Sequence, residues 1–270
     1  MAKIECSFYS SALKKNTRAI IILPSLSAQE YLEEKSNKYL IENSKFQTLY
    51  LLHGSYGGYT DWVLNTNIAR YAQDKCLAVV MPDGENSGYN TISSSDYKQY
   101  IAVELPNYLE SVFPFSNKRE NRFISGLSMG GYGAAYIALE YPQMFSYCGV
   151  LSGCVDFYEL LWGELSYAKK MSNSYKKQFE KYAETNINLY SALNDYRKTV
   201  ENNVKFFFTS GDKDIFISEI MEYADKLIEQ GLNVKKQIEP GIHDWLYWDE
   251  HIKDVLDWLP LKRKCVDEIE

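Results

Sequence analysis

Short apolar runs of strand length alternate with helix-like segments along this 270-residue chain. Most of the runs are apolar at every position, as in strands that are covered on both faces. The runs are 18–23, 46–52, 77–81, 122–125, 147–151 and 204–209, and the helix-like segments are 65–75, 97–113, 130–141 and 219–230. This alternation predicts an α/β fold with a mostly parallel central sheet and helices on both of its faces.

One region, from about residue 156 to 199, interrupts the alternation. It contains no strand candidate and is rich in Tyr, Lys and Glu. We interpret it as a helical insertion into a single domain of residues 1–270. Ligands of α/β proteins bind at the carboxyl ends of the strands, so the insertion could act as a lid over the site. An outlying helical pair with no contact to the site is the alternative.

Charge and cysteine content exclude several classes of partner. Twenty-nine Lys and Arg against 36 Asp and Glu give a net charge of −7, which disfavours nucleic acid as a partner. The five cysteines are widely spaced and show no metal-ligand spacing, so we expect reduced thiols and no metal. Neither a signal-peptide core nor a run of 18 apolar residues occurs, which predicts a cytoplasmic protein without a membrane partner. Homo-oligomerisation stays open.

The pattern Gly-x-Ser-x-Gly stands between a strand candidate and a helix candidate, with Gly126, Ser128 and Gly130 at its fixed positions. In this context it predicts a sharp turn that exposes the serine Oγ, with glycines where neighbouring backbone approaches closely. The same turn aims the N–H of Met129 at the oxygen that becomes negative when the serine attacks a carbonyl. Ser128 is therefore the predicted nucleophile, and a purely structural turn is the alternative.

A serine nucleophile needs a base, and the chain has only three histidines. His243 lies in a loop between a strand candidate and a helix candidate, where a catalytic base of such a fold is expected. We expect His53, which follows a buried strand, to support a turn beside the site. His251, at a helical position among charged residues, is expected on the solvated surface.

The carboxylate that orients the base is expected just after the strand candidate 204–209. Asp212 and Asp214 both stand there, and position alone does not separate them, because either could instead cap the following helix. Both choices give the chain order Ser, Asp, His, which is the order of the α/β-hydrolases.

A second oxyanion donor is expected from the loop after an early central strand. The run 46–52 ends in such a loop, with His53, Gly54 and Ser55 followed by Gly57 and Gly58. We predict the N–H of Ser55 as this donor, and an ordinary glycine-rich turn is the alternative. No phosphate-binding glycine pattern occurs, so no nucleotide or other cofactor is predicted.

Together these motifs resemble the esterase D-like branch of the α/β-hydrolases, which includes S-formylglutathione hydrolases, feruloyl esterases, mycolyltransferases and bacterial tributyrin esterases. The landmarks run over most of the chain: Leu51-Leu52-His53-Gly54, Asp61-Trp62, Met81-Pro82-Asp83-Gly84 with Tyr89, 126–134, Pro142 with Phe145, Ser152-Gly153, and 241–245 with Trp248. The resemblance implies an acid three residues after a strand-ending glycine, which selects Asp214 after Gly211. It also implies an oxyanion donor at Ser55. The tributyrin and feruloyl members look most similar.

The expected activity is that of a serine carboxylesterase acting on a small-molecule ester with a short-chain or hydroxycinnamoyl acyl group. Tyr158, Trp162 and Tyr167 of the insertion, with Trp245 beside the base, could form an aromatic wall for that group, although core packing explains them equally well. An S-formylglutathione-type thioester hydrolase is the alternative enzyme. A catalytically silent hydrolase fold used for binding is the alternative of a different class.

Overall fold

The computed structural model of the chain describes residues 1–33, 39, 44–92, 94–156, 188–196, 203–262 and 266–267. Its strands are β1 Ala2–Ser10, β2 Lys15–Leu23, β3 Ser44–Lys45, β4 Thr48–Leu52, β5 Ala78–Pro82, β6 Thr91–Ile92, β7 Ser95–Asp96, β8 Arg122–Leu127, β9 Tyr147–Leu151, β10 Lys205–Gly211, β11 Asn233–Glu239 and β12 Val266–Asp267. Eight of them form one sheet in the order β1-β2-β5-β4-β8-β9-β10-β11. The short strands pair separately, β3 with β12 and β6 with β7.

The large sheet is parallel from β5 to β11 and antiparallel only where β1, β2 and β5 pair. The predicted mostly parallel α/β sheet is therefore confirmed. Strand β1 is missing from the prediction, because it alternates exposed and half-buried residues at the edge of the sheet and carries no apolar run. By contrast, β4, β5 and β8 are buried at every position.

Helices cover both faces of this sheet. They are α1 Ala28–Leu32, α2 Asp61–Asn65, α3 Ile68–Lys75, α4 Tyr97–Gln99, α5 Leu105–Val112, α6 Met129–Glu140, α7 Leu189–Tyr196, α8 Ile217–Glu229 and α9 Trp245–Trp258, with a π-helical turn Tyr100–Glu104 joining α4 to α5. One buried cluster packs β4 and β8 against α5, α6 and α8. The other packs the opposite face against α2, α3 and α9.

Helix α6 is buried along almost its whole length, with only Glu140 outside the buried set. A helix that is apolar all round belongs in a core. Here its first turn lies directly over the carboxyl ends of β4 and β8. A Cβ atom at Gly130 would stand 2.5 Å from the carbonyl oxygen of Leu52, and one at Gly126 would collide with the backbone of Gly130. Both glycines are thus needed for this approach, as the sequence predicted.

Part of the predicted insertion lies in this packed structure. Helix α7 buries Leu189, Ala192 and Leu193 in the same cluster as α6. Asp156 and Asn188 form an antiparallel bridge, so the two ends of the intervening segment meet at the core. Residues 157–187 lie outside the described residues, and the prediction of a lid falls mostly on them.

No helix among the described residues is long and apolar enough to cross a membrane. Within the same residues, Cys6, Cys148 and Cys154 are free thiols.

We expect Gly126→Ala to lower the free energy of unfolding by about 1–3 kcal/mol or more, because its methyl group would force the backbone of Gly130 away. Urea unfolding followed by circular dichroism measures this. Gly58→Ala is the matched control, since a Cβ there meets nothing within 4 Å. Its effect should stay within about 0.5 kcal/mol. Equal stabilities of the two variants would contradict the argument.

Candidate active site

Ser128 stands at the junction of β8 and α6 with φ 52° and ψ −121°. This conformation is unfavourable for a residue with a side chain and costs about 1–3 kcal/mol, so the surroundings must hold it. The N–H of Ser128 donates to the Leu151 carbonyl at 2.9 Å, and its own carbonyl accepts the Tyr132 N–H at 3.0 Å. The turn therefore fixes the direction of the Ser128 side chain before any ligand arrives.

Three predicted residues come together at this turn. Nε2 of His243 lies 3.0 Å from Oγ of Ser128. Nδ1 of His243 lies 3.0 and 3.1 Å from the two oxygens of Asp214. The Asp214 side chain is fully buried, whereas 22% of the His243 side chain is exposed. A continuous hydrogen-bonded series thus connects a buried carboxylate to a serine hydroxyl.

Asp212, the other candidate acid, faces away from this series. Its carboxylate accepts the N–H of Gly241 at 2.9 Å and so closes the turn that leads to His243. Of the two candidate acids, Asp214 is the one that contacts His243, whereas Asp212 holds the loop that carries His243.

The Asp214 carboxyl lies in a strongly hydrogen-bonding environment. Burial by itself raises the pKa of this group, but the hydrogen bond with His243 and the donors at Phe216 and Ser152 outweigh it and leave the pKa below its ordinary value. The Phe216 N–H donates to Oδ1 at 2.9 Å. The Ser152 hydroxyl also accepts the Trp248 indole N–H at 3.0 Å, which fixes its position. Asp214 is consequently held as a carboxylate in one orientation.

Aromatic rings enclose the imidazole of His243. The ring centroids of Phe216 and Trp248 lie 5.2 and 4.9 Å away, both nearly perpendicular to the imidazole. Asp244, the next residue, begins helix α9 by accepting the Tyr247 N–H at 3.0 Å. The helix cap and the ring packing together limit the rotation of His243.

The turn after β4 brings one backbone donor, the Ser55 N–H, close to the serine. A Cβ at Gly54 would lie 3.5 Å from the Cβ of Ser128, so the Gly54–Ser55 peptide stands beside the nucleophile. Ser55 lines the same cavity as Ser128. Among the described residues, no acceptor takes the N–H of Ser55 or that of Met129. The neighbouring Tyr56 N–H is occupied by Oδ1 of Asn86 at 2.7 Å.

His53 is buried and holds this turn, as predicted. The Gly84 N–H donates to its Nε2 at 2.9 Å, so that nitrogen is an acceptor and Nδ1 carries the proton. Nδ1 then donates to the Gly54 carbonyl at 2.8 Å. In a trans peptide the N–H points opposite to the carbonyl, so the bond from His53 directs the Ser55 N–H.

A cavity of about 410 Å³ opens above Ser128 and His243. Its lining residues are Gly54, Ser55, Tyr56, Gly57, Asp61, Leu127, Ser128, His243, Asp244, Trp245 and Trp248. Trp245, predicted as a wall residue, is among them and packs edge-to-face against Trp62 and Trp248. The other predicted wall residues, Tyr158, Trp162 and Tyr167, lie outside the described residues.

Sequence reasoning assigned no part in the pocket to Tyr56, Asp61, Asp244 or Trp248. All four are neighbours of predicted residues in the chain, and that proximity was the available signal. One prediction is wrong: His251 is buried and not solvated. It packs on the ring of Tyr247 at 4.1 Å, and its Nδ1 lies 2.7 Å from Asp254, a pairing that a helical spacing of three residues permits.

Comparison with known proteins decides the family. The Esterase family model matches residues 10–259, which include Ser128, Asp214 and His243. The chain belongs to the Esterase family. It is similar to an acetyl esterase of Caldicellulosiruptor saccharolyticus, with 29% identity over 269 residues that cover 96% of this chain and 98% of the relative. Esterase membership makes the protein a carboxylic ester hydrolase with a small-molecule ester as substrate.

Solved structures agree on the fold. The serine hydrolase FphF of Staphylococcus aureus has a TM-score of 0.78 and 28% identity, and the S-formylglutathione hydrolase FrmB of the same organism has 0.80 and 27%. Each match covers 96% of this chain and 98% of the other chain. A ferulic acid esterase follows with a TM-score of 0.75 and 18% identity over 96% of this chain and 97% of that chain. The predicted α/β-hydrolase fold and the family resemblance are confirmed, while the last match shows the fold alone.

The lowered pKa of Asp214 has a consequence for stability. A carboxyl whose pKa is lower in the folded than in the unfolded state stabilises the fold above its ordinary pKa, and this stabilisation is lost as the pH falls below that value. The unfolding free energy of the wild type should therefore fall between about pH 5 and pH 3 more steeply than that of Asp214→Asn. Asp212→Asn, at an exposed carboxylate, is the control and should follow the wild type. Parallel curves for all three proteins would refute the account.

Proposed function

We propose that the chain is a serine esterase that hydrolyses short acyl esters through Ser128, His243 and Asp214. The hydrogen-bonded series from Ser128 Oγ through His243 to buried Asp214 carries this proposal, because it joins a nucleophile, a base and an orienting carboxylate at working distances. Similarity to an acetyl esterase along the whole chain supports the short acyl group.

In acylation, Oγ of Ser128 attacks the ester carbonyl while Nε2 of His243 takes the hydroxyl proton. The resulting imidazolium keeps its Nδ1–H on the Asp214 carboxylate, which stabilises the positive charge. The tetrahedral intermediate then collapses, the bond to the alcohol oxygen breaks, and His243 returns the proton to that oxygen. An acyl-serine and a free alcohol result.

Deacylation repeats these steps with water. His243 removes a proton from a water molecule as its oxygen attacks the acyl-serine carbonyl, and then returns the proton to Oγ of Ser128. The products are a carboxylic acid and the regenerated enzyme. The exposed fraction of His243 gives water access to the base without a rearrangement of the triad.

The oxyanion of both tetrahedral intermediates is assigned to the N–H groups of Met129 and Ser55. Both donors belong to backbone that is fixed before the reaction, one at the first turn of α6 and one in the turn held by His53. Fixed donors of this kind contribute about 3–4 kcal/mol each to the barrier reduction, since they need not reorient as charge develops.

A hydroxycinnamoyl acyl group is the second candidate substrate, and the aromatic lining favours it. Trp245 and Tyr56 border the cavity, and 59% of Tyr56 is exposed at its rim. Aromatic side chains at a pocket wall suit a planar aromatic acid, although they suit small apolar acyl groups as well. Tyr158, Trp162 and Tyr167 belong to the same proposal.

Ser128→Ala should reduce kcat/KM for p-nitrophenyl acetate by at least about 10³-fold while leaving the circular dichroism spectrum and Tm close to those of the wild type. A panel of p-nitrophenyl acetate, butyrate and octanoate with methyl ferulate and S-formylglutathione assigns the acyl class. Fastest turnover of the acetate supports the proposal, fastest turnover of methyl ferulate supports the hydroxycinnamoyl candidate, and activity on the thioester alone indicates the glutathione alternative. Turnover that survives in Ser128→Ala would refute the triad.

Two conservative substitutions of His53 test whether this residue orients the Ser55 N–H. Asn at this position places an amide N–H where Nδ1 donates to Gly54, whereas Gln reaches the Nε2 position and leaves the Gly54 carbonyl without its donor. We expect His53→Gln to lose about 10²-fold in kcat with little change in KM, and His53→Asn to lose less than tenfold. Both variants should lose comparable stability, as Tm will show. Equal kcat values would indicate a structural role only.

A further inference from the structure

The cavity above Ser128 carries negative charge beyond the triad. Among the described residues that line it, Asp61 and Asp244 are the two with a carboxylate, and none is a Lys or Arg. Both aspartates are partly exposed toward the cavity. A substrate therefore approaches the serine past two carboxylates.

Asp61 stands beside the turn that carries the proposed oxyanion donor. A Cβ at Gly57 would collide with Oδ2 of Asp61, so the carboxylate lies directly against the backbone of that turn. Because Gly57 lies two residues after Ser55, the charge is close to the place where the ester must bind. Asp61 is thus positioned to act on the charge of a bound substrate.

Neither Asp61 nor Asp244 forms an ion pair with a basic side chain in the described part of the chain. Arg18, near the same end of the sheet, contacts the Tyr59 hydroxyl at 3.3 Å. Lys213 borders a separate cavity of about 290 Å³ that Asp244 also lines, so it offsets part of the charge of Asp244. We therefore expect Asp61 to repel a negatively charged substrate more strongly than Asp244 does.

We propose that Asp61, assisted by Asp244, makes the esterase select against anionic esters, so that its substrates are neutral or cationic. This inference rests on the proposed function and narrows its substrate class. Like charges repel more strongly in a half-enclosed cavity than in open solvent, and the net charge of −7 acts in the same direction. Glutathione thioesters, which carry two carboxylates and one ammonium group, fall in the disfavoured class.

Three acetate esters of similar size test this selection. They are acetylcholine, which is cationic, 3,3-dimethylbutyl acetate, which is neutral, and the acetyl ester of 3-hydroxypropanesulfonate, which is anionic. At low ionic strength kcat/KM for the anionic ester should be at least about fivefold below that for the neutral ester, after correction for their hydroxide-catalysed rates. The cationic ester should equal or exceed the neutral one. Added salt at 0.5 M should reduce the discrimination, since the charges are partly exposed.

Variants that replace one aspartate with asparagine show which carboxylate causes the discrimination against the anionic ester. Asp61→Asn should raise the ratio of kcat/KM for the anionic ester to kcat/KM for the neutral ester severalfold. Asp244→Asn, which retains a side chain able to cap helix α9, should act in the same direction but less strongly. Asp225→Asn, an exposed carboxylate on α8 that pairs with Lys236, changes the net charge equally and should leave the discrimination as in the wild type.

Equal kcat/KM for neutral and anionic esters in the wild type would overturn the inference, and so would discrimination that persists unchanged in both pocket variants. Failure of the proposed esterase function would give a different result. In that case the neutral ester would show no turnover that depends on Ser128. Turnover that depends on Ser128 without charge discrimination would leave the esterase function standing and refute only the selection.

Discussion

The close approach of helix α6 to the ends of β4 and β8 is the constraint from which the site follows. Backbone meets backbone at Gly126 and Gly130, with no room for a side-chain carbon between them. This contact forces the chain to turn sharply at Ser128 and gives the serine its positive φ. It also puts the turn after β4 beside the nucleophile. A single packing contact thus positions Ser128 and both proposed oxyanion donors.

The Asp214 carboxylate depends on a second, polar arrangement. Asp214 is removed from water, which on its own would favour the protonated acid, yet donors from three directions keep it ionised. Ser152 is one of these donors and has φ 50°, so two strained serines directly follow the neighbouring strands β8 and β9. The hydrogen bond from Trp248 to Ser152 connects helix α9 to this network. Backbone strain at Ser128 and Ser152 is therefore offset by hydrogen bonds that the same turns make possible.

The interior strands and helices could be predicted because elements that are buried on all sides are apolar along their whole length. Strand β9 occupies the predicted residues 147–151, and α6 begins one residue before its predicted start. The edge strand β1 has no apolar run, since one of its faces is exposed and the other is half-buried. His251 was misplaced because charged residues surround it in sequence, whereas in the fold it packs against the Tyr247 ring and lies beside Asp254 and Gln237. The position of Asp61 in the cavity depends on how the turn at Gly57 folds, and no local sequence pattern predicts that fold.

The ring packing around His243 places indole rings beside its imidazole. Trp248 stands nearly perpendicular to His243 at 4.9 Å, and Trp245 and Trp62 continue the series at 5.2 and 5.5 Å. Three of the five tryptophans of the chain thus lie in one series of ring contacts that begins at His243. Intrinsic tryptophan fluorescence is therefore a probe of the surroundings of His243 that needs no label.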